Sequence, residues 1–352
     1  MQSRLLAIKQ FGQQIWLDNL SRNMLNDNHL NQMIKKDGIA GITSNPTIFH
    51  KAISSDSLYQ EDLAKIKQSD LTLDERYESL VIPDIQAACD AFLPLYHESN
   101  HNSGFVSFEL SPLIANDPQQ TIKHAVITWN KINRPNLMIK IPATDAGIYA
   151  LEQLIFAGIN VNVTLIFSLK QVRKTWEAYL RGLTRAKNEE LNLGKVRGVA
   201  SFFLSRIDSS IDPILPTHLQ GLGAINIAKA AYMIYQELFD NSEFNKFKQL
   251  GAQGQYLLFA STGTKNPAYS DVMYVEKLIG NETVNTVPTN TLDAFIHHGV
   301  ATNSLTNDLD KVESILNQIE QIVNLDELGD KLQQDGLKAF VDSYNQLLEL
   351  VK

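Results

Sequence analysis

LMIKIPATDAGIYALEQLIFAGINVNVTLI, residues 137–166, carries the reading of the fold. It opens with an aliphatic run at 137–142, passes into helical periodicity over 146–157, and closes on a second apolar run at 159–166. Strand, helix and strand in that order predict neighbouring parallel strands with a covering helix. Successive side chains on a strand alternate between faces. Leu137, Ile139 and Ile141 therefore share one face, and Met138 and Lys140 the other. In the second strand Val161, Val163 and Leu165 oppose Asn160, Asn162 and Thr164. Two adjacent strands thus turn a lysine and a row of small polar side chains the same way.

The same unit recurs outward in both directions. Further strand candidates lie at 14–18, 38–43, 104–110, 197–203, 255–261 and 283–287, and helical patterns at 168–187, 223–240 and 307–322. Eight strands alternating with helices predict a closed (β/α)8 (TIM) barrel, an α/β fold, formed by one domain over 1–352. The stretch 46–103 exceeds one crossover and predicts extra helices after the second strand; the tail 325–350 reads as a final helix packed outside the barrel. Parity extends too. Ser107 and Glu109 oppose Val106, Phe108 and Leu110; Asp18 opposes Ile15 and Leu17; Ser261 opposes Leu258 and Ala260. With the apolar parity against the helices, Asp18, Glu109, Lys140, Asn162, Thr164, Ser201 and Ser261 converge inside, toward the strand ends where barrels place their chemistry.

Composition narrows the classes of partner. A net charge of -8 and a pI near 5.5 argue against nucleic acid or an anionic membrane surface. An acidic chain that handles anions must gather its basic residues locally. Cys89 is the single cysteine, so no intrachain disulfide forms, as suits a reducing compartment. Met1-Gln2-Ser3-Arg4 lacks a basic leader before an apolar core, and no apolar run matches a bilayer, so a cytoplasmic location is expected. The sequence leaves assembly as a homo-oligomer open.

Lys140 is the first candidate for chemistry. One reading is a strand-end lysine reaching solvent or a core carboxylate. The other is a nucleophilic amine: apolar surroundings disfavour an ammonium ion, and the free amine attacks a ketone. The resulting iminium draws electrons from the adjacent carbons, which permits C–C cleavage. Asp18 and Glu109, from different strands, supply partners for separate proton transfers, or simply pair with the lysine. Asn45, Asn162 and Ser201 offer hydrogen bonds to a short polyol, and Thr43 and Thr164 offer hydroxyls to position a water; each also fits a satisfied core group. Arg206 after the sixth strand and the Ser261-Thr-Gly263-Thr-Lys265 run after the seventh lie where barrels bind phosphate. That run lacks the glycine spacing and the Ser or Thr after lysine of a nucleotide loop. The histidines, including His97, His101, His297 and His298, show no ligand spacing with Cys or carboxylates, and neither a G-x-S-x-G elbow nor a Rossmann fingerprint appears. No metal and no cofactor are expected.

Two segments resemble the transaldolase family: GITSNPTIF at 41–49, and the stretch 137–168 with Ile-Lys-Ile-Pro-Ala-Thr followed by Gly-Ile-Asn-Val-Asn-Val-Thr-Leu. The Asn-Pro-Thr-Ile-Phe wording is most similar to a bacterial subgroup. The resemblance implies Lys140 as Schiff-base nucleophile, Asp18 as acid/base for C–C cleavage, and Glu109 with Thr164 as handlers of a catalytic water. It places Asn45, Asn162 and Ser201 around a dihydroxyacetone unit and Arg206 with Ser261 on phosphate. A second phosphate-binding arginine of many members is Gly263 here, with Lys265 as its replacement. The implied reaction moves dihydroxyacetone from sedoheptulose 7-phosphate or fructose 6-phosphate to glyceraldehyde 3-phosphate or erythrose 4-phosphate, in the non-oxidative pentose phosphate pathway. Competing readings are an aldolase that releases free dihydroxyacetone with the same lysine, and a non-catalytic sugar-phosphate-binding barrel.

Overall fold

The unit at 137–166 folds as its pattern demands. In the computed structural model, which describes residues 3–352, β4 (Leu137–Pro142) runs into a helix, α5 (Asp145–Phe156), and returns as β5 (Val161–Ile166). Met1 and Gln2, half of the N-terminal stretch read above as leaderless, lie outside the described residues. Thr144 caps α5 by accepting from the Gly147 amide at 3.0 Å. A Cβ at Gly147 would stand 1.9 Å from the Pro142 carbonyl oxygen, so only glycine lets the helix start this close to the strand.

The other strands are β1 (Gln13–Leu17), β2 (Gly41–Thr43), β3 (Phe105–Glu109), β6 (Gly198–Phe203), β7 (Tyr256–Ala260) and β8 (Thr283–Val287). They pair in chain order, all parallel, and β8 closes on β1, giving the eight-stranded barrel. Each strand begins and ends within a few residues of its pattern. β2 shortens most, from 38–43 to Gly41–Thr43, because Gly38 is spent at φ +75° ending a π-helical turn at Met33–Asp37. The insertion after β2 holds α1 (Pro46–Ser55), α2 (Gln60–Lys67) and α3 (Leu73–Glu98), the last opened by a Thr72–Glu75 capping box. The remaining longer helices are α4 (Pro118–Ile132), α6 (Leu169–Asn188), α8 (Gly223–Phe239), α9 (Thr289–His298), α10 (Leu309–Glu320) and α11 (Leu325–Val351); the short α7 (Ser205–Ile211) follows β6.

Two expectations need correction. The parity assigned to β7 is inverted: Ser201 pairs with Leu258 and Phe203 with Ala260, so Leu258 and Ala260 share the inward face of β6. Both faces of YLLFA are apolar, because the lower barrel is filled by side chains rather than lined with polar groups. The tail is not simply outside the barrel. α11 crosses the C-terminal mouth, where the Gln333 amide donates to the carbonyls of Ala143 and Leu165, both at 3.0 Å. A Cβ at Gly336 would lie 2.9 Å from Leu165 and 3.2 Å from the Arg206 guanidinium, so this glycine sets how closely the helix approaches. Leu165 itself takes φ +59° in a bulge between Val163 and Ile166, where β5 leaves the ladder to meet α11.

Candidate active site

The ladder sets the first contacts. Glu109 pairs with Lys140 across β3 and β4, and Lys140 with Asn162 across β4 and β5, which puts three polar side chains on one inner face. Lys140 and Glu109 are only 4% and 6% exposed, too little for solvent to stabilise either charge alone. The ammonium lies 3.1 Å from Glu109 Oε2, outside hydrogen-bonding angles, and donates instead to the Ser44 carbonyl at 3.2 Å. Burial pushes the Glu109 carboxyl above its usual range; the Lys140 charge pulls it back, and Asp18 raises it further.

Asp18 directly follows β1, its amide bonded to Val287 as a continuation of the ladder, at 2.9 Å. Burial also raises its carboxyl, opposed by Lys140 and by a hydrogen bond that Thr43 donates at 2.7 Å. Thr43 in turn meets the Thr286 hydroxyl at 2.7 Å. Two carboxyls, each lifted by desolvation and restrained by one cation, hold different neighbours. That is the condition for dividing acid and base work between them.

A cavity of about 330 Å³ opens above the lysine, lined by Asp18, Thr43, Asn45, Lys140, Thr164, Ser201, Arg206, Ser261 and Lys265 together with groups the sequence reading missed. Thr164 Oγ1 is buried there without a hydrogen-bond partner. Asn45 uses its Oδ1 to cap α1, accepting from the Ile48 amide at 3.0 Å. Asn162 lies beneath the cavity: it donates to Ser107 at 3.0 Å and accepts from Ser201 at 2.6 Å, so both ends of its amide are engaged. Of the three expected polyol contacts, Asn45 and Ser201 reach the lining and Asn162 acts on Ser201.

On the far side, Arg206 sits in the first turn of α7 with its guanidinium 5.4 Å from the Phe203 ring centroid. Burial alone holds it below its usual value, with no carboxylate to offset the loss of water. An uncompensated, half-buried guanidinium suits an incoming anion. Ser261 reaches the cavity despite the inverted parity of β7 because it leaves the strand at φ +54°, where its hydroxyl meets that of Ser205 at 2.8 Å. Lys265 stands exposed on the rim, whereas Gly263 is not part of the lining.

The groups missed are Phe340, Thr286, Phe203 and the Ser44 carbonyl. Thr286 shares its face of TVNTV with Val284 and opposes Thr283, Asn285 and Val287, so alternation does not single it out. Phe340 comes from α11 and puts its ring 5.8 Å from Lys140 Nζ, and no local pattern marks which face of a 27-residue helix covers a mouth. A backbone carbonyl leaves no trace in residue identity. Among the described residues, no group of three or more His, Cys, Asp or Glu gathers as metal ligands would, and no helix is long and apolar enough to cross a membrane.

A parallel barrel holding one buried lysine among carboxylates at its C-terminal mouth has the architecture of the lysine-dependent, aldolase-type barrels. The chain belongs to the Transaldolase/Fructose-6-phosphate aldolase family, whose profile matches residues 15–351. It is 46% identical over 342 residues to a Transaldolase of Neisseria meningitidis serogroup C, covering 97% of both chains. It is likewise 43% identical over 349 residues to a Transaldolase of Thiobacillus denitrificans, at 97% of both, and 41% over 365 residues to one of Trichodesmium erythraeum, at 98% and 96%.

Proposed function

We infer that the chain is a transaldolase, transferring a dihydroxyacetone unit from sedoheptulose 7-phosphate or fructose 6-phosphate to glyceraldehyde 3-phosphate or erythrose 4-phosphate in the non-oxidative pentose phosphate pathway. One observation carries the reading: Lys140, 4% exposed and 3.1 Å from Glu109, opens onto the same cavity as Asp18 in a chain that matches transaldolases over nearly its whole length.

The neutral amine of Lys140 adds to the C2 carbonyl, and the carbinolamine loses its oxygen as water to leave an iminium. Glu109 moves the protons of that step, with Thr164 holding the water; Glu109 Oε2 and Thr164 Oγ1 are buried oxygens with hydrogen-bonding capacity unused. Asp18 takes the proton of the C4 hydroxyl as the C3–C4 bond breaks. The electron pair passes into the iminium, the aldose phosphate leaves, and a three-carbon enamine remains on the lysine. Asn45 and Ser201 hold its hydroxyls, while Arg206, Ser261 and Lys265 hold the phosphate of donor and acceptor. The enamine then attacks the acceptor aldehyde, Asp18 returns its proton, and water hydrolyses the imine. The Phe340 ring above the lysine keeps water from the waiting enamine, which favours transfer over release of free dihydroxyacetone.

Borohydride reduction with fructose 6-phosphate should label Lys140 irreversibly, and Lys140→Ala should abolish both labelling and transfer. Peptide mapping that found the label on another lysine, with Lys140→Ala still active, would reject the mechanism.

A further inference from the structure

A second hollow, of about 530 Å³, opens on the flank of the barrel among α3, α4 and α11. Tyr77, Ser111, Thr128 and Tyr344 line it, and so does Glu109. Glu109 is not part of the lining of the catalytic cavity, whereas Lys140 is. Glu109 and Lys140, 3.1 Å apart, therefore line two different spaces. Glu109 Oε2 faces Lys140. On the side of the hollow, polar groups line the way outward. Tyr77 is buried and, by desolvation and the nearby Tyr344 and Glu109, held neutral as a donor. Its ring packs edge-on against Tyr344 at 5.6 Å, and the Tyr344 hydroxyl donates to the exposed Asp74 on the rim of the hollow.

We propose that this flank hollow is a water conduit to Glu109, separate from the opening through which sugar phosphates reach Lys140. The inference rests on the Schiff-base reading, which makes the need for it definite. Forming the imine breaks the carbinolamine C–O bond and releases one water, its extra proton supplied by Glu109. Hydrolysis consumes one water, whose oxygen becomes the new C2 carbonyl oxygen and whose proton returns to the carboxylate. Both steps occur while a phosphorylated ketose fills the main cavity beneath Phe340. A side passage ending at the carboxylate that handles the water lets it leave and return without displacing the sugar.

The test follows the oxygen. Fructose 6-phosphate carrying ¹⁸O at C2 is incubated with the enzyme and acceptor in ordinary water, and ketoses are weighed by mass spectrometry, with spontaneous exchange subtracted. The unaltered chain should lose the label at each turnover, because the departing water escapes through the flank. Ser111→Phe and Thr128→Met, which fill the hollow without touching the catalytic cavity, should retain most of it, since the trapped water returns to the carbon it left. Thr128→Met reads the same quantity if Ser111→Phe fails to fold. Label lost to the original extent in a folded filler variant, whether or not transfer slows, would overturn the conduit. Absence of any reducible adduct at Lys140 in the unaltered chain would overturn the proposed function first, and the conduit with it.

Discussion

Two buried charge clusters in this molecule look alike by composition and differ in how completely they are satisfied. Beside α3, Arg22 gives its Nε to Asp84 at 3.0 Å, further nitrogens to Asp62 at 2.7 Å and to the carbonyls of Leu58 at 3.0 Å and Leu80 at 3.1 Å. Tyr59 closes the other Asp84 oxygen at 2.7 Å. Burial works against the guanidinium, yet the carboxylates outweigh it and hold it above its usual value. At the barrel mouth, Lys140 and Glu109 are more deeply buried, yet Glu109 Oε2 has only the ion pair with Lys140 and Thr164 Oγ1 has no hydrogen-bond partner. A cluster that spends all its bonds holds structure; one that keeps bonds unspent is ready for a ligand.

Substitution of the two carboxylates should break that comparison most strongly, with transfer falling by about 10²–10⁴-fold for each. Asp18→Ala should still form the imine, then stall with a reducible adduct carrying the donor's full carbon chain. Glu109→Ala should instead slow the appearance of the adduct. Mass spectrometry after borohydride quenching separates them: a three-carbon adduct at undiminished rate in Asp18→Ala would dismiss its role, as would normal imine formation in Glu109→Ala. The satisfied cluster should answer in a different observable. Asp84→Ala leaves Arg22 with Asp62 and two carbonyls but removes its buried carboxylate, and should cost about 1–3 kcal/mol in urea unfolding, with Lys140 labelling intact in the folded fraction.

Arg206→Ala removes a cation that no carboxylate compensates. It should raise KM for phosphorylated donors by about 10–100-fold, the equivalent of a charge-assisted hydrogen bond, and leave unphosphorylated dihydroxyacetone donors nearly unchanged; equal losses for both would mark it as structural. The smallest effect concerns Asp208, which is 1% exposed, accepts from Tyr274 and the Ala224 amide at 2.7 Å each, and is pushed by burial up to about 6. A raised folded-state value means that the native state binds the proton more tightly than the unfolded chain. Stability from this group is therefore gained as pH falls from about 6 toward the ordinary aspartate value of 3.8, and lost as pH rises through 6. Relative to Asp208→Asn, the unaltered chain should gain about 1 kcal/mol between pH 7 and pH 5, read by urea unfolding at the two pH values.

The barrel was legible because strand and helix periods differ and alternate without interruption along the chain. Lys140 and Glu109 were legible because a charged residue in an otherwise aliphatic strand must face something other than the helices. Parity failed at β7, where Tyr256, Leu258 and Ala260 are as apolar as the outward Leu257 and Phe259. Two apolar faces give alternation nothing to separate. It failed again beyond the strands: Ser261 reaches the cavity by a left-handed backbone turn, and Phe340 by long-range docking of a helix whose own pattern predicts burial but not against what. Asn45 illustrates a third limit, since one amide both caps a helix and lines the cavity, and residue type alone does not divide those duties.

The helix that crosses the mouth also orders events during synthesis. All eight strands are complete by Val287, whereas Gln333, Gly336 and Phe340 follow it. A ribosome therefore exposes a chain able to close its barrel a few seconds before the residues that roof the lysine emerge. In that interval the amine of Lys140 stands at an uncovered opening. The nascent chain acquires the pocket around its buried lysine first and the helix that covers it afterwards.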